Sequence, residues 1–564
     1  MQQKSITKGK REIVGDLNTA RLLVQCLENE GVEYIFGLPG EENLDILEVL
    51  RDSPIQFITT RHEQGAAFMA DVYGRLTGKA GVCLSTLGPG ATNLMTGVAD
   101  ANLDGAPLVA ITGQVGTDRM HIESHQYLDL VAMFAPVTKW NTQIVRPTNT
   151  AEIVRKAFKL AQAEKPGAVH IDLPENIAAM PIADAQPLKR DDREKTYASY
   201  KSINKAATAI AKAKNPLILV GNGAIRDNAS EALTEFVTQL NIPIANTFMG
   251  KGAIPYTHPL SLWTVGLQQR DLISCAFEEA DLVIAVGYDL IEYSPKKWNS
   301  EGTKDIIHIG VTRAEIDSSY IPLVEVVGDI SDSLLDIMKR TDRQGKSNAS
   351  ATELRSKITH NYEQYAQDEG FPIKPQKIIY DLRQVMNPED IVISDVGAHK
   401  MWMARHYHCD CPNTCLISNG FAAMGIAIPG AIAAKLVHPD KKVVAVTGDG
   451  GFMMNCQELE TALRTKTPFV TLIFNDNGYG LIEWKQINQF GHASFIDFGN
   501  PDFVKFAESM GVKGYRVNSA EELIPTLKEA LAQDIPAIID CPVDYKENLR
   551  FSQEAGDLSC DITM

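Results

Sequence analysis

The sequence has no apolar run of about 18 residues, the length expected of a membrane-spanning helix. Its first segment, Met1–Asn18, is polar and mixed in charge, and it lacks the hydrophobic stretch that marks a secretory signal. We therefore expect a protein that neither crosses a membrane nor is exported, and we expect it in the cytoplasm.

Basic residues are the minority among the charged ones. The chain has 54 Lys and Arg against 71 Asp and Glu, which gives a formal net charge of -17. The basic residues form no stripe with interleaved aromatic residues, so we expect no nucleic-acid partner. An anionic substrate must then be attracted by local features of its site rather than by the charge of the whole protein.

Cysteine is scarce for the length of the chain, with nine residues at scattered positions. An odd, scattered set in a large protein does not form a disulfide framework, so we expect reduced thiols. One segment groups possible zinc ligands, namely His406, His408, Cys409, Cys411 and Cys415. A C-x-C pair without a second ligand pair is a weak zinc signal, and we favour a loop that leads into a strand at Leu416–Ser418.

What the chain does have is a repeated alternation of strand and helix patterns. It is 564 residues long with 44% hydrophobic residues, and strand patterns such as Tyr34–Phe36 and Val82–Thr86 run into glycine-containing turns and then helix patterns. This length and alternation predict an α/β protein of three doubly wound parallel-sheet domains. We expect these domains at 1–190, 197–345 and 371–548.

The middle unit contains two glycine turns behind apolar strand patterns. Pro216–Val220 precedes Gly221-Asn222-Gly223, and Leu282–Val286 precedes Gly287. Turns of this kind often accept dinucleotides, but neither is a complete G-x-G-x-x-G motif. The sequence therefore gives only a weak indication of a nucleotide here.

Two acidic clusters follow strand patterns in the last third of the chain. Gly448-Asp449-Gly450 closes the run Val443–Val446, and Asn475-Asp476-Asn477-Gly478 closes the run Val470–Phe474. Buried parallel strands present their carboxyl ends at one edge of the sheet, so the two aspartates can meet there. A lone Gly-Asp-Gly is often only a tight turn, but two such carboxylates suit Mg²⁺ and a diphosphate.

This pair of clusters resembles the signature of thiamine diphosphate enzymes, and the resemblance extends over nearly the whole chain. It implies a metal held by Asp449, Asp476 and the backbone carbonyl of Gly478. The stretch Arg61–Asp71 resembles the family segment that carries an indispensable glutamate, here Glu63. Such a carboxyl group bonds N1' of the cofactor's aminopyrimidine and favours the tautomer that takes the thiazolium C2 proton.

Within that superfamily the chain most resembles acetolactate synthases of the catabolic, flavin-independent type. The segment His125–Asp129 and the central stretch Gly287–Asn299 carry this resemblance, and the flavin-linked Arg-Phe-Asp-Asp-Arg-like segment is replaced by Tyr288–Ile291. The resemblance implies decarboxylation of pyruvate and ligation of the two-carbon unit to a second 2-oxoacid, with FAD absent. It also implies a homodimer or homotetramer, because the first domain of one subunit and the third of another share each site.

The resemblance assigns roles to individual residues of this sequence. Glu63 is the catalytic carboxylate, and His125 and Gln126 are candidates for orienting the acceptor substrate. Met424 is the bulky residue beneath the bent cofactor, and the other cofactor contacts are Gln114, Gly397, Ala398, His399, Gly420, Gly448, Asp449, Gly450, Gly451, Asp476 and Tyr479.

Two departures from the family pattern keep alternatives open. Glu41 puts a carboxylate where some 2-oxoacid decarboxylases carry an active-site acid, and Trp484-Lys485 matches neither type of acetolactate synthase. A decarboxylase or a carboligase with another acceptor is therefore the second hypothesis. A non-catalytic protein on the same fold is the third, and the joint presence of Glu63, Asp449 and Asp476 speaks against it.

Overall fold

A computed structural model describes residues 17–191, 195–266, 272–342 and 349–549. These residues form three six-stranded sheets with flanking helices, and neighbouring strands in each sheet run parallel. The predicted fold class is thereby confirmed, since connecting parallel strands requires crossover helices. Within the described ranges, no helix has both the length and the apolar character needed to cross a membrane.

The first sheet has the strand order β2-β1-β3-β4-β6-β5. Its strands are β1 Tyr34–Gly37, β2 Gln56–Thr59, β3 Gly81–Ser85, β4 Leu108–Gln114, β5 Trp140–Gln143 and β6 Ala168–Pro174. Its helices are α1 Thr19–Glu30, α2 Leu44–Leu50, α3 Glu63–Thr77, α4 Gly88–Asp104, α5 Leu130–Phe134, α6 Thr150–Gln162 and α7 Glu175–Ala178. Helix α4 begins within the glycine turn that follows β3, because Gly88-Pro89-Gly90 forms its first turn.

The central sheet has the strand order β12-β11-β10-β7-β8-β9. Its strands are β7 Pro216–Val220, β8 Ile244–Asn246, β9 Ser261–Thr264, β10 Leu282–Val286, β11 Asp305–Gly310 and β12 Val324–Val327. Its helices are α8 Tyr200–Lys212, α9 Asn222–Arg226, α10 Ser230–Leu240, α11 Leu272–Glu279 and α12 Ile330–Met338, and α13 Ala349–Glu363 connects it to the third unit. Both predicted strands of this unit are confirmed.

The third sheet has the strand order β14-β13-β15-β16-β18-β17. Its strands are β13 Ile391–Ser394, β14 Cys415–Ile417, β15 Val443–Gly448, β16 Val470–Asn475, β17 Lys513–Arg516 and β18 Ala537–Pro542. Its helices are α14 Pro375–Val385, α15 Ala398–His406, α16 Ala427–Val437, α17 Asp449–Asn455, α18 Glu458–Thr465, α19 Gly480–Phe490, α20 Phe503–Ser509 and α21 Leu523–Ala530.

The first and third domains of one chain share a core. A single cluster of buried apolar residues joins Phe68 and Val72 of α3 to Ile428 and Ile432 of α16. Burial of such side chains contributes about 1.5–3 kcal/mol each. This packing fixes α3, and therefore Glu63 at its first residue, relative to the third domain of the same chain.

The cysteines depart from the sequence expectation at one position. Seven of them are free thiols, namely Cys26, Cys83, Cys409, Cys411, Cys415, Cys456 and Cys541. Cys275 is disulfide-bonded, so the expectation of reduced thiols is wrong there, and Cys560 lies outside the described residues. Within the described part of the chain no group of three or more His, Cys, Asp or Glu side chains is arranged to hold a metal ion; Cys415 begins β14.

Candidate active site

The two acidic clusters lie at neighbouring strand ends of the third sheet. Strand β15 ends at Gly448 and pairs with β16, which ends at Asn475. Both runs are buried and apolar, and parallel pairing brings their carboxyl ends to the same edge. Asp449 then starts α17, and Asp476 follows β16 directly.

Asp449 is held in place by surrounding amide groups. It is 1% exposed, and its carboxylate accepts hydrogen bonds from the N–H of Asn477 at 2.7 Å, from Nδ2 of Asn500 at 2.7 Å and from the N–H of Gly450 at 2.8 Å. Burial and the negative charge of Asp449 raise the pKa of Asp476 to about 8. A divalent cation bound between the two carboxylates would offset that repulsion.

An aromatic side chain covers the turn that begins at Gly450. A Cβ atom on Gly450 would lie 2.9 Å from Cε1 of Tyr479, so the close approach requires glycine. Tyr479 packs edge-on against Phe498 at 4.9 Å between ring centroids and stays 39% exposed. Gly451 is confined in the same way, since a Cβ atom there would lie 2.9 Å from Oγ1 of Thr447.

The ring of His399 lies between the ends of β13 and β15. Cβ atoms placed on Gly397 and Gly448 would approach it at 2.8 Å and 3.4 Å. Burial lowers the pKa of His399 to about 3, so the imidazole is neutral. Its Nε2 atom is buried without a hydrogen-bond partner, which leaves one ring nitrogen for a bound ligand.

The loop from Ser418 to Gly425, which carries Gly420 and Met424, is tied at both ends. Asp104 of α4 accepts hydrogen bonds from the N–H groups of Asn419, at 3.0 Å, and Gly420. At the far end the N–H of Gly425 donates to Asp395 at 2.8 Å. Met424 is half-buried within this restrained loop.

A buried ion cluster supports the anchoring carboxylates. Arg75 contacts Asp71 at 2.5 Å, Asp100 at 3.0 Å and Asp104 at 2.8 Å, and all four side chains are at most 7% exposed. Burial and the charges of Asp104 and Asp71 hold the pKa of Asp100 well above its ordinary value. Asp100 also accepts a hydrogen bond from Oγ of Ser418 at 2.6 Å, so one guanidinium serves two anchors of the loop.

The other predicted catalytic residues lie at the edge of the first sheet. Glu63 is 8% exposed, and its Oε2 accepts a hydrogen bond from Nδ2 of Asn93 at 2.9 Å. Gln126 adopts a positive φ of 58° and packs on Gly88, where a Cβ atom would lie 2.6 Å from the Gln126 carbonyl oxygen. Both His125 and Gln126 are exposed. The turn at Gly88 therefore supports the segment that we expect to meet the acceptor.

Gln114 ends β4 and is buried. Its Nε2 donates to the carbonyl of Leu128 at 3.0 Å, and its Oε1 accepts from the N–H of Val115 at 3.1 Å. Both ends of this amide are thus engaged within the chain. Gln114 shapes the segment that holds His125 and Gln126.

The turn that carries Glu41 belongs to this same edge. Glu41 is exposed, while its neighbour Glu42 accepts a hydrogen bond from Oγ1 of Thr86 at 2.5 Å. The carboxylate that departs from the family pattern is therefore the one that the fold leaves free.

A hydrogen bond connects the residues around Glu63 with the residues around Asp449 and Asp476 within one chain. Nδ2 of Asn455, at the end of α17, donates to Oε1 of Gln64 at 3.4 Å. Over the described ranges no hydrogen bond or ion pair links Glu63 with Asp449 or Asp476.

Sequence reasoning missed several polar residues that build these edges. Asn500 bonds Asp449, and Asn93 bonds Glu63. Asn500 lies in a loop and Asn93 lies mid-helix, far along the chain from its partner, so no local pattern marks either. Asp395 likewise accepts hydrogen bonds from the N–H groups of Gly425 and Ala427 and so organises the start of α16.

Family models match all three units of the chain. They are the N-terminal TPP binding domain of thiamine pyrophosphate enzymes at residues 17–133, the central domain at 203–337, and the C-terminal TPP binding domain at 395–541. Acetolactate synthase from Bacillus subtilis is 36% identical and is aligned over 98% of this chain and 96% of its own. The chain belongs to the acetolactate synthase family of thiamine pyrophosphate enzymes.

Other members of this family are similarly close. A probable acetolactate synthase large subunit from Methanococcus aeolicus is 38% identical over 94% of this chain and 92% of its own length. A catabolic acetolactate synthase from Raoultella terrigena is 36% identical over 94% of this chain and 95% of its own.

The residues present fit the family's cofactor, thiamine diphosphate, which is the same compound as thiamine pyrophosphate. Asp449 and Asp476 form a hard-oxygen donor set next to a glycine turn. The free Nε2 of His399 lies at the same edge. The third domain thus provides a place for the diphosphate of the cofactor.

Proposed function

We propose that this protein is an acetolactate synthase that converts two molecules of pyruvate into 2-acetolactate and CO₂. The observation that carries the proposal is the pair of Asp449, which is buried, and Asp476, whose pKa is raised by burial and by the charge of Asp449, in a chain that matches acetolactate synthases along nearly its whole length. Glu63, which is buried and bonded to Asn93, provides the carboxyl group for the aminopyrimidine of the cofactor.

Each residue group has a defined task in this proposal. Bound thiamine diphosphate supplies a nucleophilic carbon and an electron sink for the loss of CO₂. Asp449, Asp476 and the carbonyl of Gly478 hold Mg²⁺ against the diphosphate. Glu63 would hold a proton at N1' of the aminopyrimidine, and Met424 would pack against the cofactor.

His125 and Gln126 complete the site on the substrate side. Their exposure at the edge of the first sheet leaves them available to the acceptor 2-oxoacid. A donor placed at the developing alkoxide contributes about 2.7–4 kcal/mol to catalysis in comparable sites. The remaining cofactor contacts are proposed for Gln114, Gly397, Ala398, His399, Gly420, Gly448, Gly450, Gly451 and Tyr479.

We propose that the working unit is at least a homodimer, and a homotetramer if dimers pair. Within one chain no hydrogen bond or ion pair joins Glu63 to Asp449 or Asp476, and apolar side chains stay exposed beside the aspartate pair. Met453, Met454 and Ile482, on α17 and α19, are 43%, 41% and 47% exposed. The first domain of a second copy would cover them and bring its own Glu63 to the cofactor.

The central domain supports flavin independence. The carboxylate of Glu292 accepts hydrogen bonds from the N–H of Asn222, at 3.1 Å to each oxygen, and from Oγ1 of Thr247. It therefore occupies the strand-to-helix turn where a dinucleotide fold binds a pyrophosphate. Gly223 closes the turn further, since a Cβ atom there would lie 2.7 Å from the carbonyl oxygen of Gly287.

We also propose the domain limits 1–190, 197–345 and 371–548 and a cytoplasmic location. Each proposed unit encloses one complete sheet, which supports the limits.

The test is product analysis with pyruvate, thiamine diphosphate and Mg²⁺, in the absence of FAD. We expect one acetolactate and one CO₂ for every two pyruvates consumed, with no acetaldehyde. Acetaldehyde in place of acetolactate would favour a 2-oxoacid decarboxylase, for which the exposed Glu41 is the supporting observation. Removing Mg²⁺ with a chelator should abolish both products.

A further inference from the structure

Glu458 is a buried carboxylate that reaches from the third domain into the first. It starts α18, is 0% exposed, and accepts hydrogen bonds from the N–H of Arg61 at 3.0 and 3.2 Å and from the N–H of His62 at 3.0 Å. Its other hydrogen bond comes from Oγ1 of Thr461, on its own helix, at 2.7 Å. The two N–H groups from the first domain thus belong to one short backbone segment.

That segment is the turn immediately before Glu63. His62 is the N-cap of α3, and Glu63 is the first residue of the helix. Peptide N–H groups at this position have no partner within the helix, so an outside acceptor determines how they are oriented. Moving the peptides of Arg61 and His62 would therefore redirect the side chain that follows them.

The fit around the carboxylate is tight. A Cβ atom on Gly65 would lie 2.7 Å from Oε1 of Glu458, so the third residue of α3 must be glycine for the carboxylate to sit there. A second contact, from Nδ2 of Asn455 to Oε1 of Gln64, reinforces the same turn. The first turn of α3 is thus clamped from the third domain at several points.

The clamp uses an ionisable group in a buried place. Burial raises the pKa of Glu458 to about 7, although the hydrogen bonds of Thr461, Arg61 and His62 oppose this. A buried carboxylate destabilises the folded state unless it accepts hydrogen bonds. All the interdomain hydrogen bonds that Glu458 accepts come from the turn before Glu63.

We propose that Glu458 is a positioning residue that sets the direction of Glu63 toward the aminopyrimidine of thiamine diphosphate. The inference rests on the proposed function. Helix α18 follows α17, which begins at Asp449. The same stretch of chain therefore carries a proposed metal ligand and holds the glutamate that, in the proposed dimer, serves the neighbouring site.

The test compares E458Q with E460Q. An amide at position 458 presents one nitrogen that cannot accept an N–H, whereas Glu460 lies on the same helix, is 40% exposed and pairs with Arg464. Two quantities are measured: amide hydrogen exchange of residues 57–66 in the cofactor-free protein, and the rate of deuterium exchange at C2 of bound thiamine diphosphate. The cofactor Kd and the Tm are recorded alongside.

We expect E458Q to raise amide exchange in residues 57–66 and to slow C2 exchange by at least about tenfold, with the cofactor Kd within about threefold of the parent. E460Q should match the parent in both. E458D, which keeps the charge on a shorter side chain, should fall between them and replaces E458Q if that variant does not fold.

Unchanged C2 exchange in E458Q, or a loss that follows cofactor affinity and Tm in proportion, would overturn the proposal. C2 exchange needs no 2-oxoacid. A parent enzyme that exchanges C2 normally but makes no acetolactate would refute the proposed function. The comparison of C2 exchange between E458Q and the parent would still decide the role of Glu458.

Discussion

At the scale of single residues, carboxylates with raised pKa values have different surroundings. The pKa values of Asp476 and Glu458 are raised by burial, and at Asp476 a neighbouring like charge adds to the effect. Glu292 is also buried, and its pKa is raised to about 7. Asp476 is a proposed metal ligand, Glu458 bonds the turn before α3 and Glu292 bonds the turn at Asn222, so residue type alone does not indicate the role.

The Asp476→Asn variant separates stability from metal binding. The substitution removes a charge that repels Asp449. It should therefore raise the free energy of unfolding of the cofactor-free protein by about 1 kcal/mol at pH 8. The same change should abolish the increase in Tm that Mg²⁺ and thiamine diphosphate give the parent protein. Thermal unfolding with and without both additions measures this, and an undiminished increase would exclude Asp476 as a ligand.

Gly88 lets the neighbouring segment pass close by. Its φ is +47°, and a Cβ atom would lie 2.6 Å from the carbonyl oxygen of Gln126. Gly88→Ala should lower the free energy of unfolding by about 2–4 kcal/mol, since backbone strain and a backbone clash add. Gly78→Ala is the control, because its φ is +68° with nothing within 4 Å of the added atom.

Urea unfolding of the two glycine variants measures the difference. Gly78→Ala should lose only the backbone term, about 1–2 kcal/mol. In Gly88→Ala the KM for the acceptor should also rise, because Gln126 is displaced. Equal losses in the two variants would mean that the segment at Gln126 moves away freely.

Residue-scale contacts were the least predictable from the sequence. Glu63, Asp449 and Asp476 could be named because they belong to motifs in a recognisable family. Asn500 and Glu458 could not, because each acts on a backbone or side-chain atom that only the fold brings near. The hydrogen bonds of the Gln114 amide with Leu128 and Val115 also follow from the fold alone, and its cofactor contact stays a prediction.

At the scale of elements, apolar runs identified the inner strands and missed the edges. Strands β15 and β16 are almost completely buried and were predicted from their valine- and isoleucine-rich runs. Strands β2 and β5 lie at the two edges of the first sheet and are partly exposed, and neither was predicted. An edge strand needs no continuous apolar run, so its sequence resembles that of a loop.

The junction between α3, α4 and the loop 418–425 depends on Arg75. In Arg75→Met, Asp71, Asp100 and Asp104 would stay buried without their cation, and the free energy of unfolding should fall by about 3–5 kcal/mol. The folded variant then binds protons more tightly than the unfolded chain does. Its stability should therefore rise as the pH is lowered from about 8 to 5.

Urea unfolding across that pH range shows whether the free energy of unfolding of Arg75→Met rises or falls as the pH is lowered. The parent protein is the baseline, because the raised pKa values of Asp476, Glu458 and Glu292 affect both proteins alike, and the stability of the variant should rise more steeply than that of the parent. A variant whose stability falls as the pH is lowered would show that the aspartates are solvated and that the cluster does not act as a buried unit.

At the scale of the whole molecule, the division of the site between two edges predicts complementation between chains. Glu63→Gln and Asp476→Asn should each be inactive alone. In a mixed dimer, one site would carry both substitutions and the other site neither. Random mixing should therefore restore about a quarter of the parent activity, because half of the dimers are mixed and half of their sites are intact.

Mixing after refolding, followed by an acetolactate assay, makes this measurement. Two copies of the same variant, refolded identically, give the background. If each site were built within one chain, every site in the mixture would carry one substitution and the mixture would stay inactive.

Glu292 bears on whether the central domain needs a bound nucleotide in order to fold. A nucleotide-binding turn without its nucleotide usually leaves several N–H groups unsatisfied, so folding and cofactor supply become linked. Here the chain brings its own anion to the turn through the N–H of Asn222 and the hydroxyl of Thr247. Under the proposed flavin independence, we therefore expect the central domain to complete its folding from the polypeptide alone, so that a cell starved of riboflavin would still accumulate competent protein.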